Sequence, residues 1–347
     1  MSLSPLEAQG ETLAFLRQPS TYRHTTHTPA LAETNQCWVV LMGNFAYKMF
    51  KAAKAARDNT SLEQRRLNAL LEMDANQTLA GCLYLGIRVV VRRTNGTLAL
   101  VTTPKATDTV LEYVVRMRRF HEADLLYTRL FAGTLEPQHL ADLGRLLATF
   151  HIGQPVSTRE NLTGYTNSLN RQLGATFIAY VQRLEPTVDG ALMQELTDLF
   201  KAEMVACRDL VEARPADAYK VLHGDMDFGN IAFYKGRLVP FDAQVLNPAL
   251  NNDDVMKDVA YVLAPLFMGG RDDLAKPFVE AYFATRTDAN GRAVLHLWVG
   301  HAAYVRAGSW LSRAHKMPDG DAKETLLARG RAFQQVAKRA FTRQLPL

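Results

Sequence analysis

The segment from His223 to Asp242 constrains the fold more than any other part of the chain, because it combines polar residues with a short hairpin. Its apolar runs, Ile231–Tyr234 and Leu238–Phe241, are separated by Lys-Gly-Arg, which predicts two antiparallel strands joined by a turn. A hairpin of this length returns the chain to the point where it began. We therefore predict that Asp242 lies close to Asn230, with both side chains at the same end of the hairpin.

Asp225, Asn230 and Asp242 together carry the groups that phosphoryl transfer from a nucleotide requires. One carboxylate can accept or orient the proton of an attacking hydroxyl, while a carboxamide oxygen and a second carboxylate can hold Mg²⁺ against the phosphates. A single loop aspartate is more often a turn former or a helix cap. The combination of all three residues at this spacing favours catalysis.

The same segment resembles a known group of enzymes. His-Gly-Asp225, then Asn230, then an apolar hairpin ending in Phe-Asp242 resembles the catalytic segment of the aminoglycoside phosphotransferase and choline kinase group. Within it, the similarity is greatest to bacterial aminoglycoside phosphotransferase family enzymes of unassigned substrate. The resemblance implies an α+β, bilobal protein-kinase-like fold with a β-rich N-lobe, a mainly helical C-lobe, and ATP (or GTP) and Mg²⁺ in the cleft.

By matching positions, the resemblance makes Asp225 the catalytic base and makes Asn230 and Asp242 the metal ligands. Asp227-Phe-Gly spells the metal-binding tripeptide of protein kinases, but it precedes Asn230 inside the catalytic loop. Asp227 is therefore interpreted as a loop residue, and contact with the substrate is one role that this interpretation allows.

Composition is consistent with a two-lobed enzyme of this kind. The chain has 347 residues, 48% of them hydrophobic, which is enough for two lobes with cores of their own. No apolar run approaches the roughly 18 residues that span a bilayer, and no signal-peptide pattern begins the chain. Three widely spaced cysteines argue against a disulfide framework or a metal cluster. We expect a cytoplasmic protein with no membrane partner.

The net charge of +5 and the pI near 9.0 slightly favour anionic ligands. The densest basic cluster, residues 116–119, is short and lacks interleaved aromatic residues. Nucleic acid is therefore not an expected partner.

A lysine on an inward strand face is a second candidate feature. Cys37–Met42 and Phe45–Phe50 predict two strands joined by a Gly-Asn turn. Lys48 alternates with apolar neighbours, so we expect it to point into the lobe, where an amino group needs an anionic partner. A lysine at the strand edge that reaches solvent is the alternative.

The expected partner of Lys48 is Glu72, on a helix that opens with a capping box at Thr60–Glu63. Three leucines of this helix share one face, namely Leu67, Leu70 and Leu71. In the kinases that the chain resembles, a helix glutamate holds the strand lysine that binds the phosphates. The similarity of residues 79–86 to the bacterial family selects Glu72 over Glu63, with a solvated helix glutamate as the alternative.

A second hairpin over residues 87–102 and a strand over 110–115 follow this helix. This order matches a kinase N-lobe, so the resemblance places the nucleotide hinge near Glu112 and Val114, where backbone groups would meet adenine. No Gly-x-Gly-x-x-Gly precedes the first strand, and the matching phosphate-covering stretch is Leu31–Asn35. Rossmann and Walker A patterns are also missing.

We accordingly predict an N-lobe, residues 1–115, with the nucleotide-binding sheet and helix, and a C-lobe, residues 116–347, with the catalytic loop and acceptor site. In the C-lobe, leucines after Pro137 recur at helical spacing up to His151. His151 has no second histidine at metal-ligand spacing, so a zinc role has little support.

A further helix is predicted from Asn247, with Asp254 and Asp258 on one face. The resemblance favours Asp258 as a residue that braces the catalytic loop through hydrogen bonds. Contact with an ammonium group of the substrate is a role that either Asp253 or Asp254 could have.

Arg306, Trp310 and Arg313 share a late helix face. They are either arginine stems covering a packed aromatic ring or part of a pocket selecting an anionic or sugar-like acceptor.

These patterns predict an ATP-dependent kinase acting on a hydroxyl of a small molecule of the aminoglycoside, sugar or amino-alcohol type. A protein kinase is an alternative, but no Ser, Thr or Tyr lies between Asp242 and Asp254 as an activation-segment site. A non-catalytic protein that binds a nucleotide or a partner is the other alternative. The fold does not indicate the acceptor, and the oligomeric state has no sequence signal.

Overall fold

The computed structural model describes residues 5–22, 27–34, 36–53, 58–157, 189–244 and 251–347. It divides into two compact units. Unit 1 comprises residues 1–122 and 239–248, and unit 2 comprises residues 123–238 and 249–347. These units are defined by packing alone, so the functional lobes 1–115 and 116–347 stay predictions.

Unit 1 is built on a six-stranded sheet with the order β1-β2-β3-β6-β4-β5, in which every neighbouring pair is antiparallel. Its strands are β1 (Ala30–Glu33), β2 (Cys37–Met42), β3 (Phe45–Phe50), β4 (Tyr84–Arg92), β5 (Leu98–Val101) and β6 (Thr109–Arg118). Its helices are α1 (Pro5–Ala8), α2 (Gly10–Leu16) and α3 (Leu62–Ala80). The β-rich first part of the predicted fold is confirmed.

The hairpin of β2 and β3 has the predicted boundaries, and Met42 pairs with Phe45 across the turn. The side chains that flank Lys48, Tyr47 and Met49, join an apolar core with Leu16 of α2. Because successive side chains of a strand point to opposite faces, Lys48 lies on the other face of the sheet.

Helix α3 buries several polar side chains together with Ala69, Leu79 and Ala80. Its N-cap is Ser61, one residue later than the predicted capping box, and the Ser61 side chain accepts a hydrogen bond from the Gln64 N–H. The leucines that indicated this helix do share a face, but that face is exposed, at 41% for Leu67, 44% for Leu70 and 47% for Leu71. The buried face carries Arg65, Asn68, Glu72 and Asn76.

Unit 2 is mainly helical, as predicted for the C-terminal part. Its helices are α4 (Leu126–Phe131), α5 (Pro137–Gly153), α6 (Gly190–Ala206), α7 (Arg208–Glu212), α8 (Met256–Met268), α9 (Asp272–Thr285), α10 (Ala289–Ala293), α11 (Leu295–His315) and α12 (Asp321–Phe341). Its strands form pairs, β10 (Asn252–Asp254) with β7 (Tyr219–Val221) and β8 (Ile231–Tyr234) with β9 (Arg237–Pro240). The passage of the chain from unit 2 to unit 1 falls within β9.

The predicted helix from Asn247 is wrong at residues 252–254. Residues 245–250 lie outside the described residues, and Asn252–Asp254 is strand β10, in which Asp254 pairs with Tyr219 of β7. The helix begins only at Met256. The hydrogen-bonding groups of β7 require an extended partner, and this requirement overrides the local helical pattern.

Helix α11, which carries Arg306 and Trp310, packs against α12. Gly330 of α12 permits the close approach, because a Cβ atom there would come within 2.6 Å of the Leu311 side chain of α11. No helix in the described ranges is long and apolar enough to cross a membrane.

Candidate active site

In unit 1, Lys48 bridges two carboxylates. Its Nζ lies 2.8 Å from Glu72 Oε1 and 2.7 Å from Asp242 Oδ1. The predicted contact between Lys48 and Glu72 is therefore confirmed, whereas Glu63 is exposed and pairs with Arg66. Burial by itself would lower the pKa of Lys48, but Asp242 and Glu72 raise it well above its usual range. The lysine is held as a cation, and the Asp242 side chain keeps 47% of its surface exposed.

Tyr84 and Asn76 hold the backbone around Asp242, and sequence reasoning missed both. The Tyr84 hydroxyl donates to Glu72 Oε1 at 3.3 Å and accepts from the Asp242 N–H at 3.2 Å. The Ala243 N–H donates to Asn76 Oδ1 at 3.0 Å. Asp242 itself has φ +61°, in the left-handed region that non-glycine residues rarely adopt. An Asp in this conformation costs free energy, which these hydrogen bonds help to offset.

The hinge assignment to Glu112 and Val114 needs correction. Both residues lie inside β6, and Val114 pairs with Met49 on one side and Arg88 on the other. The Glu112 carboxylate is buried and accepts hydrogen bonds from Arg65 and Gln9. The strand continues to Arg118 because its neighbours β3 and β4 extend alongside it. A change of chain direction therefore comes only after residue 118.

The predicted phosphate-covering stretch is mostly a strand. Ala30–Glu33 forms β1 and pairs with β2 as the edge of the sheet. Thr34 follows, and its side-chain oxygen accepts from the Cys37 N–H at 3.0 Å. Asn35 lies outside the described residues.

In unit 2, the structure brings Asp225 and Asn230 together. The Asn230 side chain donates to Asp225 Oδ2 at 2.9 Å and to the Asp225 backbone carbonyl at 3.1 Å. A short 3₁₀ turn, Phe228–Asn230, brings the carboxamide back to the carboxylate. Asp242 belongs to unit 1, so its predicted proximity to Asn230 stays a prediction.

Arg306 of α11 contacts both aspartates of the loop formed by residues 223–230. One terminal nitrogen donates to Asp225 Oδ1 at 2.5 Å, and Nε lies 3.2 Å from Asp227 Oδ1. The Tyr127 hydroxyl donates to the same Asp227 oxygen at 2.8 Å. Burial raises the pKa of Asp227, with the charge of Arg306 opposing that shift. Asp227 thus anchors the loop between Arg306 and Tyr127, a role for which the sequence offered no sign.

Asp258 braces the loop that carries Asp225, as predicted. Its two carboxylate oxygens accept from the backbone N–H groups of His223 at 2.9 Å and Gly224 at 3.0 Å, and His151 Nε2 lies 3.3 Å away. Gly224 has φ +78°, which explains the glycine between His223 and Asp225. Burial would raise the pKa of Asp258, but the hydrogen bond from His151 and the backbone donors hold it below its usual value. His151 is a buried structural residue.

The ammonium contact left open for Asp253 or Asp254 is not available at Asp254. That carboxylate is buried and accepts two hydrogen bonds, at 2.7 and 2.8 Å, from the Arg214 guanidinium. Asp253 lies 3.2 Å from the ammonium group of Lys257. Both acids therefore already have a cationic partner inside the protein.

Comparisons with known proteins agree on the fold. No protein-family model matches the chain, and no curated protein matches it. Among solved structures, it is similar to a choline/ethanolamine kinase family protein from Mesorhizobium loti, with 15% identity, a TM-score of 0.54, and coverage of 96% of this chain and 99% of that one. It is also similar to a choline kinase from Cryptosporidium parvum Iowa II, with 9% identity, a TM-score of 0.55, and coverage of 97% and 98%.

A third similar structure is a microcompartment-associated aminopropanol kinase, with 13% identity, a TM-score of 0.53, and coverage of 96% of this chain and 98% of that one. All three similarities extend over nearly the whole of both chains. The fold that the catalytic segment predicted is thereby confirmed, and the chain has the kinase-like fold of the choline and ethanolamine kinases.

Proposed function

We propose that this protein is an ATP- and Mg²⁺-dependent phosphotransferase that moves the γ-phosphoryl group to a hydroxyl of a small molecule. The observation that carries the proposal is the setting of Asp225. Its carboxylate is held by Asn230 and Arg306, on a loop braced by Asp258, within a kinase-like fold. A loop aspartate that served only as a turn former would not need this many partners.

Asp225 would orient the acceptor hydroxyl. Asn230 holds Oδ2 and Arg306 holds Oδ1, which fixes the direction of the carboxylate, and each oxygen keeps a further lone pair for the acceptor. The acceptor oxygen bonds to the γ-phosphorus, the bond from that phosphorus to the β–γ bridging oxygen breaks, and the hydroxyl proton passes to Asp225. Phosphoryl transfer depends mainly on positioning and charge neutralisation, which suits a carboxylate held in this way.

Lys48 would hold the nucleotide phosphates. Its charged amino group is kept in place by Glu72, the arrangement that kinases use to grip the α and β phosphates. Because Glu112 and Val114 are part of the sheet, we assign contact with the base to the backbone of residues 119–121, which follow β6.

The chemistry of two side chains suits Mg²⁺. Asn230 uses its amide nitrogen toward Asp225, which leaves its carbonyl oxygen for a cation, and Asp242 offers a half-exposed carboxylate. The described residues contain no group of three or more His, Cys, Asp or Glu placed to hold a metal. Mg²⁺ in nucleotide sites usually takes one or two protein ligands and completes its shell with phosphates and water. When bound, it would neutralise charge on the phosphates.

A small-molecule acceptor is preferred to a protein hydroxyl. Solved structures to which the chain is similar include a choline/ethanolamine kinase family protein, a choline kinase and an aminopropanol kinase. A non-catalytic role is less economical, because Lys48, Glu72, Asp225, Asn230 and Asp242 are all present.

Replacing Asp225 tests the proposed function. We expect Asp225→Ala to bind nucleotide normally but to turn over on the order of a thousandfold more slowly, the scale typical of losing a principal catalytic group. ADP formation measures turnover, and Asp198→Ala, at an exposed aspartate of α6, is the matched control. Unchanged turnover in Asp225→Ala would contradict the assignment.

Nucleotide binding is tested separately by calorimetry with ATP and GTP, with and without Mg²⁺. We expect Mg²⁺-dependent binding that Asp242→Ala weakens, because that substitution removes a metal ligand and a partner of Lys48. Absence of nucleotide binding under every condition would refute the proposed function.

A further inference from the structure

The aromatic rings beside the catalytic loop are covered by the protein's own guanidinium groups. Arg306 lies 4.9 Å from the centre of the Tyr261 ring. Arg313 and Arg329 lie 5.0 and 4.9 Å from the centre of the Trp310 ring. Proteins commonly bind quaternary ammonium ligands against the faces of aromatic rings of this kind. Here arginines already occupy that role.

The acidic side chains of the same region are also paired. Arg306 contacts Asp225 and Asp227, and Lys257 lies beside Asp253. A cationic acceptor would therefore have to displace an internal cation in order to gain a carboxylate partner among these described residues. The region suits a cationic acceptor poorly.

Within the part of the chain that the structure describes, Arg313 and Arg329 differ from Arg306 in having no acidic partner. Neither guanidinium has a carboxylate within 4.0 Å among the described residues. Because both lie against the same Trp310 ring, their charges are within about 10 Å of each other, a distance at which like charges repel. Arg313 is exposed and Arg329 partly so, which leaves their donors accessible. An anion between them would relieve the repulsion and accept directed hydrogen bonds.

This arginine pair is connected to the catalytic aspartate through α11 and Tyr127. Arg306, Trp310 and Arg313 follow each other at four and three residues, which places them on one face with Arg313 about 10 Å along the axis from Arg306. Tyr127 packs edge-on against Trp310, with ring centres 5.7 Å apart, while its hydroxyl binds Asp227. The arginine pair and the loop that carries Asp225 are thus linked along one side of α11 by contacts that run through Trp310 and Tyr127.

We propose that the phosphate acceptor carries an anionic group, a phosphate or a carboxylate, and that Arg313 and Arg329 bind this group while the acceptor hydroxyl reaches Asp225. The proposal rests on the proposed phosphotransferase function and narrows its acceptor class. It predicts an acceptor unlike the amino alcohols named for the structurally similar kinases.

The test compares three probes that share a hydroxyl and differ in charge, namely glycerol 3-phosphate, glycerol and ethanolamine. Calorimetry is performed on the full chain saturated with Mg²⁺ and a non-hydrolysable ATP analogue, so that the nucleotide phosphate site is filled. We expect glycerol 3-phosphate to bind at millimolar concentration and to bind more tightly than the other two. The Arg313→Gln/Arg329→Gln variant should weaken this binding on the order of tenfold per guanidinium lost.

Matched variants separate ligand binding from structure. Arg331→Gln, two residues from Arg329 on α12, should bind the probe as the wild type does, and Arg313→Lys/Arg329→Lys should retain part of the affinity because it keeps both charges. If the double glutamine variant does not fold, the exposed Arg313→Gln alone provides the comparison.

Preference for ethanolamine, no binding of glycerol 3-phosphate, or binding that the double variant leaves unchanged would each overturn the proposal. These outcomes are distinct from failure of the proposed function, which would appear as absence of nucleotide binding or as turnover that does not depend on Asp225. A coupled assay of ADP formation with hydroxy acids and sugar phosphates, against aminoglycosides and choline, extends the comparison. Turnover confined to the cationic acceptors would also overturn it.

Discussion

At the scale of single residues, Arg306 contacts three side chains around the loop that carries Asp225. Its guanidinium touches Asp225 and Asp227 and lies over the Tyr261 ring. Such a largely buried cation is costly to desolvate, and this cost is offset by the two carboxylates that it neutralises. Removing it would leave the largely buried Asp227 without this cation, and would leave the Asp225 carboxylate held by Asn230 alone.

We predict that Arg306→Gln lowers the free energy of unfolding by about 3 kcal/mol, the scale typical of breaking a buried ion pair by removing one partner. Urea denaturation measures this change. The Arg306→Gln/Asp227→Asn double variant should regain part of the loss, because neither charge is then left alone. Strictly additive effects of the two substitutions would contradict a direct coupling between Arg306 and Asp227.

Turnover distinguishes this stabilising role from a catalytic one. Because Arg306 also fixes Asp225, the double variant should stay slow even where its stability is recovered. Recovery of full turnover together with stability would show that Arg306 does not position the catalytic carboxylate.

At the scale of elements, α3 departs from the usual amphipathic helix. Leu67, Leu70 and Leu71 face solvent. The buried side of the helix positions Glu72 toward Lys48 and Asn76 toward the Ala243 backbone. A helix that buries polar groups must satisfy each of them with hydrogen bonds. Helix α3 therefore serves to hold the ion-paired site of unit 1, at the expense of apolar burial.

We predict opposite outcomes on the two faces of α3. Leu70→Gln should change the free energy of unfolding by less than about 0.5 kcal/mol, as is usual for an exposed position. Asn76→Ala should lower it by about 1–3 kcal/mol, because the Ala243 N–H loses its acceptor in a buried setting. Thermal and urea unfolding of both variants measures the difference. A larger effect for Leu70→Gln than for Asn76→Ala would mean that the leucine face is covered.

At the scale of the whole molecule, buried histidines make the folded state sensitive to acid. Burial lowers the pKa of His301 from 6.5 to about 3, and the positive charge of Lys257 adds to the shift. The unfolded chain takes up this proton below pH 6.5, whereas the folded chain does not. Stability is therefore lost as the pH falls from about 6.5 toward 3.

We predict that His301 accounts for about 2 kcal/mol of the stability lost between pH 7 and pH 5. His301→Met, which replaces the ring with an adaptable apolar side chain, should remove that part of the pH dependence. Urea unfolding at both pH values measures it, with His315→Met at the exposed end of the same helix as the control. If the free energy of unfolding of His301→Met depends on pH as strongly as that of the wild type, the acid sensitivity lies elsewhere. One such place is His151, because burial lowers its pKa as well.

Local patterns were sufficient for the parts of this protein whose geometry is set by neighbours in the chain. The hairpin of β2 and β3 follows from alternation and from Gly43, which adopts φ +54° in the turn. The start of α5 follows from Pro137, whose fixed φ suits the first helical turn. Asp225 and Asn230 are only five residues apart, so the local sequence was likewise sufficient to predict that this carboxylate and this amide act together.

Tertiary structure alone decided the features that join residues far apart in the chain. Arg306 meets Asp225 across 81 residues, and β6 extends to Arg118 because β3 and β4 pair with it. Glu72 lies on the buried face of α3 because it pairs with Lys48, a contact that no periodicity within the helix expresses. Short-range preferences fix the backbone conformation of each segment. Packing between distant segments decides which charged side chains are neutralised inside the protein and which remain accessible to a ligand.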